Sequence, residues 1–173
     1  MTRPVCPEAI ELVKHFESLH DGDLTQIGLQ PKTCPAGIWT VCYGHALKDE
    51  HGNFLRGGAG KIEAYRQAGD LTEADAEALL VKDLEIFATG VQHLVTVPLT
   101  DNQFGALVSL AYNIGLSAFA DSTMRRLLNG KYYEGAAGQF DRWNKMSGRV
   151  LNGLTARRKS ERELFEKEGT AHA

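Results

Sequence analysis

The segment Thr33–His45, TCPAGIWTVCYGH, places two cysteines, a tryptophan, a threonine, a tyrosine and a histidine within thirteen residues. Thiolates and imidazoles are preferred ligands of zinc, so Cys34, Cys42 and His45 raise the possibility of a metal site. Their spacing, with seven and then two intervening residues, does not match the ligand pairs of structural zinc sites. A C-x-x-C redox motif is also absent. We therefore expect no metal and no cofactor, and we interpret Cys42 as a small buried residue on a strand.

Glu17 is the second residue whose position suggests chemistry. It lies near the end of a predicted helix over residues 7–19, seven residues after Ile10 and four after Val13, on the apolar stripe of that helix. Burial and the partial negative charge of a helix C-terminus both favour the protonated form of a carboxyl group. A carboxyl group that keeps its proton can act as a general acid, whereas an ordinary water-facing glutamate is the alternative interpretation.

The elements that must position these residues fall into two lobes after the first helix. Residues from about 20 to 58 are rich in glycine, proline and short β-prone runs, which predicts a small antiparallel β lobe. Residues from about 71 to 168 have helical periodicity and predict a larger helical lobe, with Thr72 and Asp75 as a capping box at its start. The glycine-flanked segment 57–69 between the lobes predicts a surface excursion with a short helical turn.

Composition restricts the classes of protein that this chain can belong to. With 173 residues, 43% of them hydrophobic, the chain can bury the core of one domain. A formal net charge of −3 argues against a partner such as duplex nucleic acid. The sequence has no run of about 18 apolar residues and no uninterrupted apolar stretch of a secretory signal. We therefore expect no stable membrane insertion and a protein that starts in a cytoplasm. We also expect a monomer.

Four blocks of the sequence, in order along the chain, resemble the phage-type lysozymes, the endolysins of glycoside hydrolase family 24. Those proteins have a helix-end glutamate in an F-E pair. An Asp or Cys then lies six residues before the threonine of a W-T-(I/V)-G-Y-G-H motif. The matching residues here are Glu17, Cys34 and Thr40, followed by Tyr43 and His45. The other blocks, which resemble successive helices of the family, are residues 97–115, 118–130 and 140–165.

This resemblance implies an α+β, lysozyme-like fold, with residues 1–173 as a single lysozyme domain. It implies an endolysin muramidase that hydrolyses the β-1,4 bond between N-acetylmuramic acid and N-acetylglucosamine in peptidoglycan and so lyses bacteria. Glu17 would protonate the leaving oxygen, while Cys34 and Thr40 would hold the attacking water, with inversion at the anomeric carbon. Cys34 could also act as a thiolate base, or as a nucleophile giving retention, and these alternatives stay open.

By the same resemblance, a cleft between the lobes would bind the glycan. Asn113 lies inside a predicted helix beside a glycine, where its low helix propensity favours a polar function. His45 could instead support the sheet through a hydrogen bond, and Tyr112 could belong to the core. The residues expected to bind substrate are Tyr43, His45, Tyr112, Asn113, Ser122 and Gln139.

Two departures from the family pattern matter. Sixteen residues separate Glu17 from Cys34, about twice the usual gap, so Asp21 and Asp23 are rival carboxylates for the second catalytic position. We prefer Cys34 because the family counts this position back from the threonine. The second departure is Cys42, which occupies a position where the family usually has glycine, and a small side chain is expected to fit there.

The final predicted helix contains a basic run, ARRKSER, at residues 156–162. We interpret it as a solvated face on which cations pair with Glu161 or Glu163 one turn away. One arginine of the run could instead pair with Glu17 or with the anionic wall polymer. The basic residues concerned are Arg157, Arg158, Lys159 and Arg162.

The favoured hypothesis is a phage or prophage endolysin that accumulates in the bacterial cytoplasm and needs a holin or a similar leak to reach the wall. An antibacterial effector or a tail-associated lysozyme would use the same chemistry in another setting. A sugar-binding module that lost its chemistry is a second rival, because a second carboxylate is missing. A lytic transglycosylase, which releases anhydro sugars, is the third and would not require Cys34.

Overall fold

A computed structural model describes residues 2–17, 29–34, 36–69 and 71–169, and only the backbone of residues 171–172. Within these ranges, α helices and small antiparallel sheets confirm the predicted α+β class. In chain order the elements are α1 (Pro7–Glu17), β1 (Lys32–Thr33), β2 (Trp39–Val41), β3 (His45–Ala46), α2 (Lys61–Ala68), α3 (Glu73–Leu94), β4 (Leu99–Thr100), α4 (Asp101–Ile114), α5 (Leu116–Ala120), α6 (Thr123–Asn129), α7 (Tyr133–Ala137), a 3-10 helix (Phe140–Trp143), β5 (Lys145–Met146), β6 (Arg149–Val150), α8 (Asn152–Glu166) and β7 (Ala171–His172).

The chain divides into two compact units, which we describe separately. One unit is Glu17–Asp83, and the other combines Met1–Phe16 with Leu84–Ala173. In the first unit, β1, β2 and β3 form a three-stranded sheet in that order, and the sheet is small and antiparallel as predicted. The excursion at residues 57–69 contains α2, and Tyr65 of that helix makes an edge-to-face ring contact with Trp39 of β2.

In the second unit, α4 supplies the centre of the core and packs along α8. Its residues from Phe104 to Ala111 are all buried, because α4 is apolar on nearly every side rather than along one stripe. The strands β4 and β7 pair with each other, and so do β5 and β6. Within the described ranges, no helix combines the length and the apolar character needed to cross a membrane.

Reciprocal capping interactions begin α3 and α4, and the one at α3 is the capping box that the sequence predicts. At α3, the Thr72 hydroxyl accepts from the Asp75 amide at 3.2 Å, and the Asp75 carboxylate accepts from the Thr72 amide at 2.8 Å. At α4, Thr100 and Gln103 form the same reciprocal pair. Each cap satisfies backbone N–H groups that a helix start otherwise leaves without partners.

The interpretation of residues 156–162 as a wholly solvated face is wrong for Arg157 and Arg158. Both side chains are buried, and Glu161 lies between them with no exposed surface. Oε1 of Glu161 accepts from Nε of Arg157 at 3.1 Å and from Nη2 of Arg158 at 2.9 Å. It also accepts from the Ser109 hydroxyl of α4 at 2.7 Å. Buried charges persist only when they are paired, and this carboxylate pairs both arginines inside the α4–α8 contact.

Of the remaining cations of the run, Lys159 has a predicted partner and Arg162 has a different one. Arg162 pairs with Glu166 across one helical turn, with Nε 2.9 Å from Oε1. Lys159 lies 3.8 Å from Glu163 in the same i,i+4 arrangement, and both side chains are exposed. The helix α8 therefore has one solvated face of weak ion pairs and one buried face with a compact charge cluster.

Candidate functional site

Glu17 is the last residue of α1, and its side chain is half-buried. Four residues earlier on the same face, Val13 is buried, and Ala9 one further turn back is buried as well. The apolar stripe predicted from the sequence is therefore present up to the turn before Glu17. The carboxyl group at its end has neither the full exposure of an ordinary surface glutamate nor the burial of a core residue.

Cys34 and Thr40 belong to one β hairpin, and its register determines their relation. Lys32 lies opposite Thr40, and the Cys34 amide donates to the Ile38 carbonyl at 2.9 Å, which continues the ladder. Gly37, with a φ of 73°, closes the turn by donating to the Cys34 carbonyl at 2.8 Å. Directly opposed residues of an antiparallel pair project from the same face, as do alternate residues of one strand. The thiol of Cys34 and the hydroxyl of Thr40 are therefore diagonal neighbours on one face.

Thr40 is buried, and its hydroxyl has a defined direction. Oγ1 donates to the Lys32 carbonyl of the neighbouring strand at 3.1 Å. Because this bond uses the hydroxyl hydrogen, the oxygen lone pairs are left to accept a hydrogen bond. A water molecule that donates to Thr40 would then present its own lone pairs elsewhere. Cys34, in contrast, is half-buried just beyond the end of β1.

His45 lies on β3 and is held by a carboxylate of α3. Its Nδ1 is 2.8 Å from Oδ2 and 3.0 Å from Oδ1 of Asp83. Such a contact fixes the orientation of the imidazole ring, which agrees with a supporting role for His45. Sequence reasoning did not identify Asp83. Asp83 directly precedes the buried Leu84 and lies three residues after the buried Leu80. This position was the available signal that the carboxylate of Asp83 needs a partner.

The interpretation of Cys42 is correct about burial and wrong about the strand. Cys42 has no exposed surface, but it lies in the turn after β2 with a φ of 55°. Few side chains adopt this left-handed backbone region, whereas glycine does so freely. That requirement explains why the resembling proteins usually have glycine there. Desolvation, helped by the charges of Asp75 and Asp83, raises the pKa of the Cys42 thiol to about 11, so this thiol is inert at neutral pH.

The other expected substrate-binding residues occupy varied environments. Tyr43 is buried in the turn that follows Cys42. In the second unit, the half-buried Tyr112 ring contacts Phe87 edge to face at a centroid distance of 5.1 Å, and Asn113 is exposed beside it. Tyr112 therefore packs against a neighbouring helix while keeping part of its surface exposed.

Ser122 and Gln139 both lie at helix starts in that unit. The Ser122 hydroxyl caps α6, accepting from the Arg125 amide at 3.1 Å and donating to the Phe119 carbonyl at 2.6 Å. These bonds leave one lone pair of the hydroxyl for a ligand. Gln139 is half-buried at the start of the 3-10 helix. The rival carboxylates Asp21 and Asp23 lie outside the described residues.

The sequence raised Cys34, Cys42 and His45 as candidate metal ligands. Among the described residues, no group of three or more His, Cys, Asp or Glu side chains could hold a metal ion. The three cysteines form no disulfide with one another. What the first unit does bring together is a thiol and an oriented hydroxyl on one hairpin face, and an imidazole fixed by a carboxylate. The first pair can orient a water molecule, and the second can hold the sheet against α3.

Comparison with known proteins gives consistent matches. Residues 24–161 match a family model described as phage lysozyme, a range that includes Cys34 and Thr40 and begins after Glu17. The endolysin of Acyrthosiphon pisum secondary endosymbiont phage 1 is 32% identical over 166 residues, covering 94% of this chain and 97% of that protein. The endolysin of Bacillus phage B103 is 36% identical over 156 residues, which are 90% of this chain. This chain spans only about half of that relative, 51% of its length.

A solved structure extends the match to the fold. The muramidase domain of SpmX from Asticaccaulis excentricus superposes with a TM-score of 0.74 at 34% identity, covering 96% of this chain and all of that one. This similarity confirms the lysozyme-like fold that the sequence blocks imply.

Proposed function

Because the chain belongs to the phage lysozyme family, we propose that it is a muramidase that hydrolyses the β-1,4 bond between N-acetylmuramic acid and N-acetylglucosamine in peptidoglycan. The observation that carries this proposal is the common face of Cys34 and Thr40 on the β1–β2 hairpin. The two residues have the spacing of the catalytic pair in that family, and the hairpin register makes them neighbours. The named relatives, two endolysins and a muramidase domain, support the same substrate.

In the proposed mechanism, Glu17 is the general acid. Its proton passes to the glycosidic oxygen as the bond to the anomeric carbon breaks, and the sugar develops oxocarbenium character. Its position supports this role, because a half-buried carboxyl group at a helix C-terminus experiences the negative end of the helix dipole. Glu17 ends the reaction cycle as a carboxylate and regains its proton from solvent.

Cys34 and Thr40 position the attacking water in the proposed mechanism. Water donates one hydrogen bond to the Thr40 hydroxyl, whose own hydrogen is bound by the Lys32 carbonyl. Its second hydrogen points to the sulfur of Cys34, which takes this proton if it is a thiolate. A neutral thiol only orients the water, and the proton then leaves to solvent once the new C–O bond has formed. The oxygen of the water then bonds to the anomeric carbon from the face opposite the leaving sugar. This arrangement gives inversion, whereas direct attack by sulfur would give retention.

The glycan-binding part of the proposal includes the six residues that the sequence predicts for this role. Asn113 offers an exposed amide, and Tyr112 offers part of an aromatic surface on which a sugar ring can stack. Ser122 and Gln139 provide polar groups at helix starts, His45 supports the sheet that carries Thr40, and Tyr43 is buried in the turn beside it. The whole set is Tyr43, His45, Tyr112, Asn113, Ser122 and Gln139.

The experiment is loss of turbidity of purified cell walls. The expected result is lysis by the wild type, and binding without lysis by Glu17→Gln. A wild type that binds walls and never lyses them would establish the rival hypothesis of a sugar-binding module. Mass spectrometry of the products separates hydrolysis from transglycosylation, because anhydro sugars would overturn the proposed reaction.

The role of Cys34 is tested by the stereochemistry of the product. NMR of the newly formed reducing end should show inversion for the wild type. Cys34→Ser should retain part of the activity if sulfur only orients water, while Cys34→Ala should lose more of it. Retention of configuration, with both variants inactive, would instead identify Cys34 as the nucleophile.

The setting of the activity is also part of the proposal. The similarity to two phage endolysins supports a lysis protein that a phage or prophage produces in the host cytoplasm and that reaches the wall when a holin or a similar leak opens the membrane. Expression in a bacterial host with and without a holin tests this point. Lysis without any membrane-opening partner would contradict holin dependence and leave the reaction itself unaffected.

A further inference from the structure

Positive charge is concentrated in one segment of an otherwise acidic chain. Residues 142–160 contain six of the nineteen lysines and arginines, and all twenty-two acidic residues lie outside this segment. Two of the six, Arg157 and Arg158, are buried against Glu161. The exposed cations that remain are Arg142, Lys145, Arg149 and Lys159.

Two of these exposed cations lie on a hairpin formed by β5 and β6, which we call the basic hairpin, Lys145–Val150. All six of its residues are exposed. Its turn residues Ser147 and Gly148 have φ values of 50° and 79°, the positive values of a tight two-residue turn. Below the strands, the Leu151 amide donates to the Asn144 carbonyl at 2.9 Å. The hairpin is therefore a small hydrogen-bonded projection whose side chains face solvent.

The register places one cationic and one apolar side chain on each face of the basic hairpin. Lys145 lies opposite Val150 on one face, and Met146 lies opposite Arg149 on the other. Directly opposed side chains of an antiparallel strand pair lie close enough to be in contact. Met146 is 60% exposed and Val150 is 55% exposed, so each cation has an unshielded apolar neighbour. Each face can therefore receive an anionic group and a small apolar group side by side.

Among the described residues, the two cations of the basic hairpin, Lys145 and Arg149, have no ion pair, and neither does the neighbouring Arg142. Arg162, in contrast, pairs with both Asp141 and Glu166. Unpaired exposed cations on a chain of net charge −3 give a local positive potential, which attracts an anionic ligand and fixes where it binds.

We propose that the basic hairpin binds the peptide stems of peptidoglycan through their carboxylates. This inference rests on the proposed function, which supplies a polymer whose glycan strands bear short peptides. Alanine methyl groups and carboxylates alternate along such peptides, and they match the paired apolar and cationic side chains on each hairpin face. Arg149 offers a guanidinium fork suited to a carboxylate, and Lys145 offers a point charge. The basic hairpin thereby holds a peptide stem of the polymer that the protein is proposed to hydrolyse.

The test compares Lys145→Gln/Arg149→Gln with a charge-matched control, Lys82→Gln/Lys131→Gln. The control residues are exposed lysines outside the hairpin that have no ion pair among the described residues. Binding and turnover are measured on intact peptidoglycan and on glycan strands from which an amidase has removed the peptides. The hairpin variant should bind intact peptidoglycan about fivefold more weakly at low ionic strength, because two surface ion pairs are lost. High salt should abolish the difference.

On peptide-free strands the hairpin variant should equal the wild type, and on intact wall its KM should rise with kcat unchanged. Equal binding of all three proteins to intact peptidoglycan would overturn the inference. A loss of binding that is equally large on peptide-free strands would also overturn it. The same holds if only binding to phosphatidylglycerol vesicles depends on the basic hairpin. A wild type that hydrolyses neither substrate would instead count against the proposed function, so the two failures are distinguishable. Unchanged thermal unfolding of the hairpin variant excludes misfolding as the cause.

Discussion

The hairpin that carries Cys34 and Thr40 and the contact between α4 and α8 hold their polar groups in opposite ways. The hairpin has strands of two and three residues, and its order comes from backbone hydrogen bonds, a glycine turn and one hydroxyl contact. The helical contact surrounds Glu161 with two arginines and a serine hydroxyl inside an apolar core. Damage to the helical contact should therefore cost mainly stability, and damage to the hairpin should cost mainly activity.

The largest expected loss of stability is that of Glu161→Gln in the helical contact. Removing the carboxylate leaves the buried Arg157 and Arg158 without their shared counterion, which typically costs about 3–5 kcal/mol. Urea denaturation should show this loss as a lower midpoint. The matched control is Glu163→Gln on the exposed face of α8, whose ion pair with Lys159 is worth under about 1 kcal/mol. Equal midpoints for the two variants would show that the buried cluster is not what stabilises the α4–α8 contact.

The complementary change in the hairpin is Thr40→Val, which keeps the shape of the side chain and removes the hydroxyl. We expect kcat to fall about a hundredfold if Thr40 orients the attacking water. The free energy of unfolding should fall by only about 1 kcal/mol, since one hydrogen bond to the Lys32 carbonyl is lost. Turbidity assays and urea denaturation of the same preparation measure both quantities.

Thr33→Val is the control for this prediction. Thr33 lies on β1 opposite Trp39, so it projects from the other face of the same hairpin. The same chemical change there should leave kcat within about twofold, because the hydroxyl of Thr33 is exposed. A comparable drop in kcat for both variants would mean that the hairpin is simply distorted and that Thr40 has no special role.

A third change tests how closely the helical unit is packed. A Cβ added at Gly105 of α4 would lie 2.7 Å from both the Ala9 Cβ and the Cys6 Sγ, closer than these atoms can approach. Gly105→Ala should therefore destabilise the protein by about 1–3 kcal/mol. Gly153→Ala, where an added Cβ meets nothing within 4 Å, should instead stabilise α8 by about 0.5–1 kcal/mol. Calorimetric midpoints that move in the same direction for both would contradict this picture.

The contrast also explains what the sequence could predict. The starts of α3 and α4 follow from caps such as Thr72 with Asp75, because the partners are three residues apart. The burial of Arg157 and Arg158 was missed because it depends on Ser109 and Glu161 meeting across 52 positions of the chain. Local spacing shows that a carboxylate is available one turn away, but it does not show on which side of the helix the core lies.

Within the candidate site the same division holds. Cys34 and Thr40 were predicted from the resemblance to the phage-type lysozymes, whose motif has the same spacing, and the hairpin register makes the two residues neighbours. The partnership of His45 with Asp83 was missed, since 38 positions separate the strand from the helix that meets it. The positive φ of Cys42 was missed because the sequence alternation of a strand continues through the turn without any break.

The smallest expected effect concerns Cys42, the buried thiol in the turn after β2. Its pKa is raised to about 11 from an ordinary value of 9.0, since burial disfavours the thiolate. The unfolded chain releases this proton at lower pH than the folded one, so the protonated thiol stabilises the fold below about pH 9, and this contribution disappears as pH rises toward 11. Urea titrations across that interval should show a steeper loss of the free energy of unfolding for the wild type than for Cys42→Ala, by about 1–2 kcal/mol.

A thiol reagent at neutral pH should likewise modify the half-buried Cys34 before Cys42. Parallel pH profiles of the two proteins, or rapid modification of Cys42, would mean that the turn after β2 opens readily to solvent and that even the buried side of the sheet is only loosely held.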